Sequence, residues 1–144
     1  MTATAVRHAG ITVTEIERSA AFYRIFFGFV DARRMNERGS FLETICGIPG
    51  IEVTTLKMTA PGGGMIELLQ YRHPRSATRS QALTIVGCSH LALTVPDIHG
   101  VYKRLREANV PLVSEPTLSE DGKAIVCFCR DPDGVALELV EMVR

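Results

Sequence analysis

The sequence predicts an α+β fold built from two tandem copies of a strand–helix–strand–strand–strand module. Three observations carry that prediction. "RHAGITV" (7–13) and "SHLALTV" (89–95) repeat one strand pattern, with His8 and His90 at the same point. Each is followed by apolar residues at helical spacing. Each half then closes on a strand that holds one glutamate among aliphatics, Glu67 in "MIELLQY" (65–71) and Glu138 in "ALELVEM" (136–142). A repeat of about 80 residues is a duplicated module and not a solenoid.

The elements follow in order. "TEIERSAAFYRIFFGF" places apolar residues at 16, 20, 23 and 27, with 22 and 26 beside them, which is helical spacing. Thr14 and Glu17 match a capping box, and Gly28 suits the C-terminal stop. Strands are expected at 29–35, 51–60 and 65–71, with "PGGG" (61–64) as a turn. "SFLETICGIPG" reads as a short helix or as a loop ending at Pro49-Gly50. In the second half Asp97 is the expected cap. Ile98, Val101, Tyr102 and Leu105 form the apolar stripe, and Asn109 is the stop. Strands are expected at 111–114, 123–130 and 135–142, with "DPDG" (131–134) turning the chain between the last two. One domain, 1–144, then comprises module one (6–71), a linker (72–87) and module two (88–143). The polar "YRHPRSATRSQ" (71–81) runs from the end of module one into that linker.

Composition narrows the function. A chain of 144 residues can build one normal core. The 46% apolar and 22% charged fractions are those of an ordinary globular protein. Sixteen basic and sixteen acidic residues cancel, so no basic excess points to nucleic acid. No apolar run is long enough to span a bilayer. The N-terminus lacks the basic-then-apolar pattern of a signal peptide, which makes the cytoplasm the expected location. The expected partner is a small-molecule substrate. Of the four cysteines, Cys127 and Cys129 share one face of a strand. Two thiols so placed suit a metal, but buried free cysteine is the commoner case.

Strand alternation sorts the remaining residues. Leu91, Leu93 and Val95 oppose His90, Ala92 and Thr94, and Ala9, Ile11 and Val13 oppose His8, Gly10 and Thr12. Ile66 and Leu68 oppose Glu67, and Leu137 and Leu139 oppose Glu138. The aliphatics can pack on the helices, which leaves the ionisable residues on the other face. A carboxylate there is unfavourable unless paired. His8, Glu67, His90 and Glu138 converging on one divalent cation would solve that problem. Imidazole with carboxylate suits Zn, Ni, Co, Fe or Mn. His73 and His99 fall in the linker and on the second helix, where exposure is expected. Arg7, Arg24, Lys57, Arg72, Arg75 and Arg79 are cations that could meet an anionic substrate group, or be solvated.

"RHAGITV…SAAFYRIFFGF", "MIELLQY", "SHLALTVPDI" and "RDPDGVALELVE" together resemble the vicinal oxygen chelate superfamily, the group of glyoxalases, bleomycin resistance proteins and extradiol dioxygenases. The resemblance spans essentially the whole chain. It implies paired βαβββ modules whose curled mixed sheets enclose a metal and substrate cavity with helices outside, and a homodimer. It also implies one divalent metal ion on His8, Glu67, His90 and Glu138. The shared chemistry is metal-assisted proton transfer beside a carbonyl, with a metal-bound carboxylate, Glu138 or Glu67, as the base. Glu43 stands where methylmalonyl-CoA epimerases carry an auxiliary acid, though a surface helix would leave it solvated. The expected function is therefore an isomerase or lyase of the glyoxalase or methylmalonyl-CoA epimerase type. The chain departs from both: "LLQYRHP" follows Glu67 where glyoxalase I has an Asn-Trp-Gly run, and "RDPDG" stands where acyl-CoA epimerases carry His-Pro-Lys. The alternatives are an Fe(II) extradiol-type ring-cleaving dioxygenase, using His8, His90 and Glu138, and a metal-free drug- or metabolite-binding protein.

Overall fold

Module one begins with β1 (Ala9–Thr12), followed by α1 (Ile16–Phe27), β2 (Val30–Arg38), α2 (Ser40–Cys46), β3 (Glu52–Thr59) and β4 (Met65–His73). Module two contains β5 (Leu91–Thr94), α3 (Ile98–Glu107), β6 (Thr117–Leu118), β7 (Ala124–Arg130) and β8 (Ala136–Met142). The computed structural model describes residues 3–77 and 82–143; Arg79 and the linker positions 78–81 lie outside them. The chain divides into two compact units, Met1–Thr78 and Arg79–Arg144. Each holds one four-stranded mixed sheet, in the order β1-β4-β3-β2 and β5-β8-β7-β6. The first strand of each module runs parallel to the last, and the other pairs are antiparallel. Among the described residues no helix is long and apolar enough to cross a membrane.

Alternation decides each core. In module one Ile11, Val13, Leu56, Met58, Ile66 and Leu68 are buried, as are Ile16, Ala20 and Tyr23 of α1, which packs on β4. In module two Val95, Ile98, Leu105, Cys127, Cys129, Leu137 and Leu139 are buried, and α3 packs on β8. Burial pushes the Cys127 thiol up to about 11 and the Cys129 thiol to about 12. Both are free thiols of the module-two core, the commoner case for buried cysteine.

Helix ends combine local and distant caps. The expected Thr14 cap is displaced by one residue. Glu15 has the extended cap conformation and accepts from the Glu17 and Arg18 N–H groups. The Thr14 hydroxyl instead accepts from the Arg18 guanidinium. The Ile16 N–H, which Glu15 does not reach, donates to Gln70 Oε1 on β4 at 3.0 Å. Module two repeats the device: Asp97 caps through Gly100 N–H, and the Ile98 N–H donates to Glu141 Oε2 on β8 at 2.7 Å. Gln70 and Glu141 each stand three places past the module's strand glutamate, a third repeated coincidence that ties the last strand to the helix.

Gly28 ends α1 at φ 69°, with its N–H and that of Phe29 bonded to Arg24 and Tyr23 carbonyls. A Cβ there would also meet Pro61 Cγ at 3.3 Å. Gly28→Ala is therefore expected to lower stability by about 1–2 kcal/mol, read as a lower urea midpoint at constant m. Asn109, at φ 56°, fulfils its expected role just after α3.

Two segments differ from the expected layout or settle an open one. "SFLETIC" is helical, and Gly47 at φ 66° stops it. Leu42 of α2 packs with Ile51, Val53, Leu69 and Tyr71, so α2 covers one end of the sheet face that also carries Glu67. The expected strand at 111–114 forms only an isolated bridge, Leu112 to Cys129, and the short β6 lies further on. Pro111 accepts from the Arg130 N–H at 2.9 Å but has no N–H to return the bond. The segment follows β7 through single bonds instead, Val113 N to Phe128 O and Phe128 N to Ser114 Oγ.

Candidate metal centre

His8 and His90 each fall one residue before a hydrogen-bonded strand, where the chain enters the sheet. Register then puts them beside the glutamates. Gly10 pairs with Glu67 across β1–β4, and Ala92 with Glu138 across β5–β8. Each histidine lies two residues earlier, on the same face as its strand's partner of the glutamate. The result is a close pair in each module. His8 Nε2 is 3.0 Å from Glu67 Oε2, and His90 Nε2 is 3.2 Å from Glu138 Oε2.

The separation within each pair fits a shared ion. Two donors bound at about 2.1 Å and about 90° apart stand about 3.0 Å from one another. The Nδ1 atoms support the fit unequally. His90 Nδ1 is 2.8 Å from Ser89 Oγ, an outer contact of the kind that orients a metal-ligating imidazole. His8 Nδ1 is buried without a hydrogen-bond partner among the described residues. Among the described residues no group of three or more His, Cys, Asp or Glu side chains stands at metal-ligand spacing; what each module brings together is one His–Glu pair.

The two halves differ in what faces the glutamate from the neighbouring strand. In module one the partner across β3–β4 is Lys57, with Nζ 3.5 Å from Glu67 Oε1. Glu67 is therefore held on both oxygens, and its side chain is 13% exposed. In module two the partner across β7–β8 is Phe128, whose ring meets His90 edge-on at 5.6 Å. Among the described residues no lysine or arginine pairs with Glu138, and its side chain is 25% exposed. Sequence reading counted Lys57 only among the cations that could meet an anionic substrate group or be solvated, and did not place it beside Glu67. Its signal was a lone charge in the otherwise uncharged "VTTLKM", at a place that only the β3–β4 register could put beside Glu67.

The other candidates are placed elsewhere. Glu43 lies on α2, and its Oε1 accepts the Gly50 N–H at 2.9 Å, closing the loop into β3. His73 ends β4 and is exposed, as is His99 on α3. Arg24 pairs with Asp31, whose carboxyl this guanidinium holds below the usual range.

Two βαβββ modules, each with a His–Glu pair on the sheet face opposite its main helix, define a paired-module protein of the glyoxalase type. The chain belongs to the Glyoxalase/Bleomycin resistance protein/Dioxygenase superfamily, whose family model matches residues 5–139. It is 29% identical over 142 residues to the uncharacterized protein YwkD of Bacillus subtilis, covering 94% of this chain and 95% of that one. It is 34% identical over 55 residues to a probable lactoylglutathione lyase of Synechocystis, covering 38% of this chain and 42% of that protein. The match thus spans less than half of that relative. A crystal structure of a glyoxalase family protein from Bacillus cereus superposes with a TM-score of 0.91 at 22% identity, covering 100% of this chain and 97% of the other.

Proposed function

We propose that this chain is a divalent-metal-dependent isomerase or lyase that moves a proton beside a carbonyl of a small substrate. The observation that carries this reading is the duplicated His–Glu pair at donor spacing, 3.0 Å in one module and 3.2 Å in the other. His8, Glu67, His90 and Glu138 would hold the ion, whether the modules that supply them belong to one chain or to two copies in a homodimer. Bound there, a divalent ion supplies Lewis acidity to the substrate's oxygens.

The asymmetry between the pairs assigns roles to the protein's own groups. Glu67, held by both His8 and Lys57, is the fixed carboxylate. Among the described residues no second cation pairs with Glu138, which is also the more exposed, so its carboxylate is the base that takes the substrate's α-proton and returns it to the neighbouring carbon. Phe128 stands opposite Glu138 across β7–β8, where module one has Lys57 opposite Glu67. The likeness to a probable lactoylglutathione lyase makes a glutathione hemithioacetal the first substrate to try.

The same asymmetry favours one second reading. If Lys57 keeps Glu67 off the metal, then His8, His90 and Glu138 form the two-His, one-carboxylate set of Fe(II) oxygenases. Metal analysis of the purified protein, joined to a screen of hemithioacetals, acyl-CoA thioesters and catechols, tests both. The proposal expects one divalent ion per chain, lost in His8→Ala and in His90→Ala alike, and isomerisation without oxygen uptake. Oxygen uptake with catechols would move the chain to the second reading. A metal content indifferent to both histidines overturns each.

A further inference from the structure

We propose that module one holds a second binding site, a pocket for the phosphoryl group of a small organic phosphate, at the shared end of β1 and β4. It does not rest on the metal reading. A cavity of about 630 Å³ opens there, between the residues that lead from β1 into α1 and the last residues of β4 with the segment that follows. Its walls include Val13, Thr14, Gln70, Arg72, Arg75 and Ser76. Gln70 to Arg72 lie three to five residues past Glu67 on β4, which at about 3.3 Å per residue is about 10–16 Å away.

The lining offers donors without a carboxylate. Arg72 Nε donates to Thr54 Oγ1 at 3.3 Å, and the buried Thr54 hydroxyl donates in turn to Asn36 Oδ1 at 2.8 Å. That chain orients the guanidinium and leaves both of its terminal nitrogens available. Among the described residues no carboxylate pairs with Arg72 or Arg75. Gln70 spends its Oε1 on the Ile16 N–H, which leaves its NH₂ as a donor. The Ser76 Oγ is buried and has no hydrogen-bond partner among the described residues. An unpaired buried hydroxyl is unfavourable, and an acceptor arriving in the pocket removes that penalty. Glu15, the nearest acid in sequence to Thr14, has both oxygens turned onto the first turn of α1.

Charge and geometry select the ligand. Two guanidiniums with no carboxylate between them call for an anion. An amide and a hydroxyl add donors from two further directions. A planar carboxylate has two oxygens to offer, whereas a phosphoryl group presents three in a pyramid and suits donors that do not share a plane. The cavity is larger than one phosphoryl group, so the anion would be one end of an organic molecule.

The test is a ¹⁵N NMR titration of the 144-residue chain at constant ionic strength, with EDTA present so that no anion reports on a bound metal. The probes are methyl phosphate, inorganic phosphate and acetate. Saturable shifts confined to 13–14 and 70–76 are expected, with both phosphates binding at least tenfold more tightly than acetate. Arg72→Gln/Arg75→Gln should weaken them at least tenfold, and Ser76→Ala several-fold. Arg75→Gln alone disturbs no contact among the described residues, so it guards against a folding defect and should weaken binding too. Unsaturable shifts, shifts centred elsewhere, equal affinity for acetate, or unchanged affinity in Arg75→Gln and the double variant would each overturn the proposal.

Discussion

Glu138→Gln is expected to lower kcat for the proton transfer by about 10²–10⁴-fold, the usual contribution of a positioned general base, with KM nearly unchanged. The amide keeps an oxygen for the ion but cannot take a proton. Glu67→Gln is expected to behave differently. Its carboxylate is held by His8 and Lys57, so its loss should appear mainly as weaker metal binding, by about 10–100-fold, with kcat largely recovered at saturating metal. Steady-state kinetics across a metal titration separate the two. Equal losses of kcat in both variants at saturating metal would contradict the division of roles between the glutamates.

Lys57→Met should raise divalent-metal affinity about tenfold. Two effects oppose each other. The lysine orients Glu67, but a partly exposed ion pair of this kind is worth only about 0.2–1 kcal/mol. A +1 and a +2 charge repel by about 1 kcal/mol or more at any separation within about 8 Å, even at the dielectric of water, and by more in partly buried surroundings. Repulsion is the stronger of the two, so removing the ammonium should help the ion. Lys57→Arg keeps the charge and should show no such gain. Co²⁺ binding, followed by its visible absorption against a competing chelator, measures both without any substrate. A fall in affinity in Lys57→Met would mean that orientation outweighs charge, or that the ion never shares Glu67 with the lysine.

Much of this was written in local pattern. Period-2 alternation in "SHLALTV" and "MIELLQY" was enough to separate the aliphatics that face the helices from His90 and Glu67. Gly28, Asp97 and Asn109 marked helix ends because each has the side chain or backbone freedom that such an end requires. The capping box failed by one residue because Glu15 can reach the same N–H groups, and Gln70 from a distant strand satisfies the next one. The strand expected at 111–114 failed because Pro111 cannot donate to the ladder and the Ser114 hydroxyl takes the Phe128 N–H.

The duplicated His and Glu positions, the two helix–strand modules and the choice of face were thus determined by the sequence alone, since side-chain period and turn chemistry act over a few residues. Tertiary structure decided what meets the glutamates. Cross-strand register, set by the whole β3–β4 and β7–β8 pairings, puts Lys57 beside Glu67 and Phe128 beside Glu138. It also brings Gln70 and Glu141 back to the helix starts across 54 and 43 residues of chain. Two halves alike in sequence pattern therefore differ electrostatically, because a carboxylate's character depends on its neighbours in space, and those neighbours come from other strands.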